Sequence, residues 1–274
     1  MGNVRAGLGW GVGAAALAWL TAGGTGGSQA GAQGNPPAAP PPSAVVLRAA
    51  DLGLFAPGPA MPEHEVGIAA LSPDARLLYI GAYQSYRVDR RNLAVIPLDA
   101  AGRPAGLPRR YRDSDLTLPE GTRASINALE VDWRRRKLYL GLAHASRQPV
   151  PLSRLLTVYD LDAGGEPTGA PRTYEAGNPG RHVDALALHP RLGRLYLTGF
   201  GGPDVYVYSL NPRGEPVGPV RTFPVGGPGK FSVAVSEDGR HLYLGTHPNR
   251  LQVLALNAQG DPVGPPRIFQ AAPV

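Results

Sequence analysis

The stretch Leu161–Tyr174, LDAGGEPTGAPRTY, decides the fold because close copies of it occur three more times. They are Leu98–Tyr111 (LDAAGRPAGLPRRY), Leu210–Phe223 (LNPRGEPVGPVRTF) and Leu256–Phe269 (LNAQGDPVGPPRIF). Gly165 is expected to supply a positive φ, and Pro167 to end a strand ladder where no N–H donor is needed. Pro171 marks an edge, since a proline in a central strand deletes a ladder hydrogen bond. The motif therefore reads as a turn leading into the outermost strand of a sheet.

Working outward from the turn, every copy follows a β-rich run: LAVIPL at Leu93, LLTVYDL at Leu155, DVYVYSL at Asp204 and LQVLAL at Leu251. Before each run lies a Leu-Tyr strand, centred on Tyr79, Tyr139, Tyr196 or Tyr243. Before that comes a third apolar segment, in VGIAALSPD, INALEVDW, VDALALHP and FSVAVSED. Each unit is thus four strands of about 5 to 8 residues. The turns recur at intervals of about 46 to 63 residues with no helical period between them. Four-stranded units repeating in this way predict an all-β chain, a β-propeller of four-stranded antiparallel blades, with four blades in this sequence.

Composition agrees. Of 274 residues, 37 are Gly and 30 Pro, with 7% aromatic and 18% charged, which argues against a helical bundle. The formal charge is +6, but only Lys137 and Lys230 are lysines. An Arg-rich, Ala/Gly/Pro-rich chain reflects a GC-rich genome, and net charge alone speaks to solubility, so no nucleic-acid partner is expected. The absence of cysteine excludes disulfides, thiolate metal sites and a lipid-modified cysteine anchor.

The N-terminus has the layout of a secretory signal. Arg5 precedes the uncharged, mostly apolar run Ala6–Ala22, and Ala30-Gly31-Ala32 offers a cleavage site. Residues 1–32 are read as a signal peptide and 33–43, ending in PPAAPPPS, as a Pro-rich disordered linker. The propeller is expected over 44–274, with blades at about 64–113, 124–174, 181–223 and 230–270 and an extra strand at about 44–53. The protein is expected to be exported to the periplasm or the extracellular space, a reading ranked above a retained N-terminal anchor because the apolar run is short for a membrane span.

The run VAVSEDGRHLYLGTHPNRLQVLALNAQGDPVG, with its relatives from about Glu65 to Gln270, resembles the repeats of the YVTN and lactonase-type propellers. In that family an S-P-D-G turn precedes an L-Y-V strand. The resemblance implies that the first strand of each unit lines a central channel and that the strand after the G-x-P turn is outermost. It also implies a closed ring of more blades than four, so the leading strand suggests a truncated propeller lacking about three blades. Pairing with a second copy and closure as a four-bladed ring are the alternatives.

With this strand order, the variable loops share one face with the segments leading into each inner strand, and the G-x-P turns share the other. Binding groups concentrate on loops held by a rigid scaffold, so the channel mouth is the default site. It gathers Glu63, His64, Glu65, Glu120, Arg123, Arg181, His182, Asp184 and Lys230, with His144, Arg147, His247 and Arg250 on adjacent loops. Glu120, Arg123, Arg181 and His182 are the catalytic candidates; His64, His144, Arg147, Lys230, His247 and Arg250 are the binding candidates. Arg, Lys and His around a Glu suit a carboxylate or phosphate, and a Glu or His there suits general-base lactone hydrolysis. The H-x-H pattern of the lactonases is missing, since GNPGRHVDAL holds a single His182. His189 stands where other repeats have the turn Ser, and His241 at a solvent-facing strand start.

No metal ligand set and no cofactor are expected. A binding or scaffold module ranks first, with a protein or envelope-polymer partner or self-association through exposed blade faces. A lactonase-like hydrolase ranks second, and a truncated propeller without independent activity third.

Overall fold

The computed structural model describes residues 66–82, 91–117, 123–145, 154–177, 182–200, 202–227 and 229–270. The signal, the linker and the extra strand at 44–53 lie outside them. Among the described residues there are sixteen strands, in four antiparallel sheets of four.

The first sheet comprises β1 (Val66–Leu71), β2 (Leu77–Ala82), β3 (Leu93–Pro97) and β4 (Arg109–Tyr111). The second holds β5 (Arg123–Asp132), β6 (Lys137–Ala145), β7 (Leu156–Leu161) and β8 (Pro167–Tyr174). The third holds β9 (Ala185–Leu188), β10 (Arg194–Thr198), β11 (Asp204–Leu210) and β12 (Pro216–Pro224). The fourth holds β13 (Lys230–Val235), β14 (His241–Thr246), β15 (Arg250–Leu256) and β16 (Pro262–Gln270). Each sheet is a meander in chain order, and the first strands β1, β5, β9 and β13 neighbour one another in sequence. This is a β-propeller with the first strands innermost and β4, β8, β12 and β16 at the outer edges.

The repeated turns have a common chemistry. In all four, an Asp or Asn side chain accepts the N–H groups of the second and fourth residues after it, as Asp162 does from Gly164 and Glu166 at 2.8 Å each. Such Asx turns need a left-handed residue before the chain reverses, and Gly102, Gly165, Gly214 and Gly260 have φ of +73°, +88°, +80° and +77°. Pro167 differs from the sequence expectation: it opens β8 across from Leu161 rather than ending the ladder. Its missing N–H costs nothing there because β8 is an edge strand.

A second turn, between the first two strands of each sheet, also has a side-chain acceptor. Ser72 Oγ takes the N–H groups of Arg76 and Leu77, and Ser236 Oγ those of Arg240 and His241. Asp132 serves the second sheet, through Arg135 N at 3.1 Å. His189 replaces Ser in the third: its Nδ1 accepts from Arg191 and Leu192 at 3.1 and 3.2 Å, and its Nε2 donates to Gly239 O at 3.0 Å.

The sheets are joined by a clasp that recurs three times. Tyr79 donates its hydroxyl to Gly165 O at 2.7 Å, Tyr139 to Gly214 O at 2.6 Å and Tyr196 to Gly260 O at 2.6 Å. Beside each, an arginine two residues before the outer-strand aromatic meets the acid that follows the glycine of the next sheet. The pairs are Arg109–Glu166, Arg172–Glu215 and Arg221–Asp261. All three tyrosines are fully buried. One apolar core fills the junctions of sheets one to three, and a smaller one joins sheets three and four. Burial keeps the phenols in their neutral, donating form by raising their pKa values.

Candidate functional site

The site expected from the sequence lies at the starts of the inner strands, and of the segments leading into them the described residues include 182–184 and 229. The segment before β9 is stitched to the second sheet: His182 bridges Ala143, and Val183 N donates to Leu142 O at 2.9 Å. This places half-buried His182 beside the end of β6, where His144 is buried at 1% exposure.

Asp184 follows, and both its oxygens are occupied. Oδ1 accepts Asn127 Nδ2 from β5 at 2.7 Å, and Oδ2 accepts the Phe200 N–H at 2.7 Å. The carboxylate therefore links the inner strands of the second and third sheets and orders the loop after β10. Asn127 Oδ1 is buried without a hydrogen-bond partner, which leaves one acceptor at this joint.

Lys230 is turned inward. Its ammonium is fully buried and donates to Pro203 O at 2.5 Å and Gly226 O at 3.1 Å. Burial lowers its pKa, opposed by the charge of Asp204. Two carbonyls from the third sheet's loops thus spend a cation that the sequence suggested for anion binding. His247 is exposed, and Arg250 is half-buried at the start of β15. Arg123 begins β5, but its side chain lies outside the described residues, as do His64, Glu120, Arg147 and Arg181.

The structure thus brings His144, His182, Asp184 and Asn127 to the seam between sheets two and three, while Lys230, His247 and Arg250 belong to sheet four. Among the described residues no three His, Asp or Glu side chains form a group able to hold a metal ion.

Sequence reasoning missed Asn127 and Glu130, both on β5. A polar residue inside an apolar inner strand is the signal that marks them. Glu130 is packed against the third sheet, where burial pushes its carboxyl up to about 7, the Leu188 backbone hydrogen bond opposes this and the Asp132 charge adds to it. No helix among the described residues is long and apolar enough to cross a membrane.

No protein-family model and no curated protein matches the chain. Among solved structures, a protein from Lactobacillus plantarum is similar at TM-score 0.51 and 18% identity, over 78% of this chain and 58% of that one. An auxiliary nutrient binding protein from Bacteroides thetaiotaomicron gives TM-score 0.49 and 12% identity, over 74% of this chain and 41% of that one. A chain of a nidogen/laminin complex gives TM-score 0.47 and 15% identity, over 78% and 65%. The chain therefore spans about two fifths to two thirds of the length of these proteins. At 18% identity the likeness to the Lactobacillus plantarum protein speaks to fold alone, beside the four four-stranded meanders of the β-propeller described above.

Proposed function

We propose that the chain is an exported propeller of the YVTN/lactonase-like type that acts as a binding or scaffold module, with a protein or an envelope polymer as its partner. The observation that carries this reading is the engaged state of the polar groups at the starts of the inner strands. Asp184 accepts one hydrogen bond at each oxygen, from Asn127 and Phe200, and Lys230 is capped by carbonyls. A general base needs a free lone pair aimed at substrate, whereas a rim whose polar groups are already ordered suits recognition without chemistry.

The test is calorimetric titration of the full chain with sodium polygalacturonate and with inorganic polyphosphate, alongside a pH-stat assay on δ-gluconolactone. Binding that weakens in high salt, without lactone turnover, is the expected result. Catalysed lactone hydrolysis that His182→Ala abolishes would replace this reading with the hydrolase.

A further inference from the structure

The three clasps leave one half unused at each end of the series, and the two halves do not match. The fourth sheet carries the donor half. Tyr243 occupies the position of Tyr79, Tyr139 and Tyr196, and Arg267 that of Arg109, Arg172 and Arg221. Tyr243 is 37% exposed and Arg267 is exposed, with no acidic partner among the described residues. Around them Leu251, Val263 and Phe269 are also exposed and line a groove of about 460 Å³.

The first sheet carries the acceptor half, and there the acid is replaced: its turn reads Gly102-Arg103-Pro104. A Cβ at Gly102 would meet nothing within 4 Å, whereas one at Gly165 would lie 2.7 Å from Trp133 and one at Gly214 2.8 Å from Lys137. The opposite face of the first sheet from Tyr79 bears Ile80 and Ile96, which are buried at 5% and 1% exposure.

We propose that the outward face of the fourth sheet is a docking surface for a partner blade, a four-stranded antiparallel sheet whose third-to-fourth-strand turn reads Gly-Asp-Pro or Gly-Glu-Pro. Such a turn would offer the glycine carbonyl to Tyr243 and the carboxylate to Arg267, as Gly260 and Asp261 do for Tyr196 and Arg221. A second copy of this chain does not fit. Its three acidic turns are consumed by its own clasps, its remaining turn would set Arg103 against Arg267, and the apolar face beside that turn is already buried.

The test extends the full chain at its C-terminus with a repeat of residues 229–270, which supplies a Gly-Asp-Pro turn. Amide hydrogen exchange in β15 and β16 of the original fourth sheet is expected to slow at least about tenfold. Changing the added turn to Gly-Arg-Pro should cut that protection by at least about fivefold, and Arg267→Glu combined with the Gly-Arg-Pro turn should restore it. No protection from the added blade, or equal protection from both turns, overturns the proposal. Sedimentation of the unextended chain covers the rival occupant: self-association that Arg267→Glu abolishes would assign the face to a second copy instead.

Discussion

Strands β6 and β14 are near copies in sequence, KLYLGLA and HLYLGT, yet they live in different surroundings. In the second sheet Tyr139 is fully buried and bonded to Gly214, while in the fourth Tyr243 stands open to solvent. The difference arises from the next sheet, not from the strand. A propeller blade acquires half of its core from its neighbour, so Leu242 and Leu244, which face the third sheet, stay buried while Tyr243, which faces away from it, is surface.

The largest test of that contrast compares the two tyrosines. Tyr139→Ala removes a buried ring and its hydrogen bond and should cost about 3–5 kcal/mol in urea unfolding. Tyr243→Ala should cost less than about 1 kcal/mol. Equal losses would mean that the fourth sheet's face is covered after all.

The next compares Glu130 with its counterpart Ala234, which is exposed. Glu130 ionises near 7 when folded and near 4.5 when unfolded, so the native state holds the proton longer. Stability should therefore fall as pH rises from 4.5 to 7, by about 3 kcal/mol in all, and level off above that. Glu130→Gln should abolish the fall, raising stability at pH 8 and leaving it unchanged at pH 4. A pH-independent effect in denaturant titrations would refute the assignment.

Glycines at the turns give a smaller contrast. Gly214→Ala combines a positive φ with a Cβ 2.8 Å from Lys137 and should cost about 2–3 kcal/mol. Gly102→Ala meets open space and should cost about 1 kcal/mol, from φ alone. Smallest are the arginines: Arg221→Ala loses a two-point bond to Asp261 that solvent screening limits to about 1 kcal/mol, and Arg267→Ala should be near zero. Salt titration of both unfolding curves separates them.

Much of the fold was legible because turn and strand chemistry repeat in register. The four G-x-P turns, the order of the strands, the outer position of β8 and the turn role of His189 all follow from local rules. The clasp was not legible in the same way. Tyr139 and Gly214 lie 75 residues apart, and a Leu-Tyr strand looks like any core strand until the carbonyl it reaches is known. The same holds for Lys230, which opens an inner strand: the Pro203 and Gly226 carbonyls that cap it come from Gly/Pro loops whose path no periodicity announces. At the mouth, His182 and Asp184 were visible as polar residues, whereas the Asn127 strut depends on two inner strands meeting.

The exchange of Ser for His at position 189 gives one blade a sensitivity to mild acid that the serine turns lack. With Nδ1 accepting two backbone N–H groups, the ring must be neutral and carry its proton on Nε2. Burial lowers its pKa below the ordinary 6.5, while the Gly239 hydrogen bond opposes this. Unfolded chain therefore takes up a proton first, and this turn's contribution is present above about pH 6.5 and drains away as the medium acidifies. The serine turns of the first and fourth sheets carry Asp74 and Asp238 instead, whose carboxylates the Ser72 and Ser236 hydroxyls hold below the ordinary value, so those turns yield only to stronger acid than the histidine turn of the third sheet.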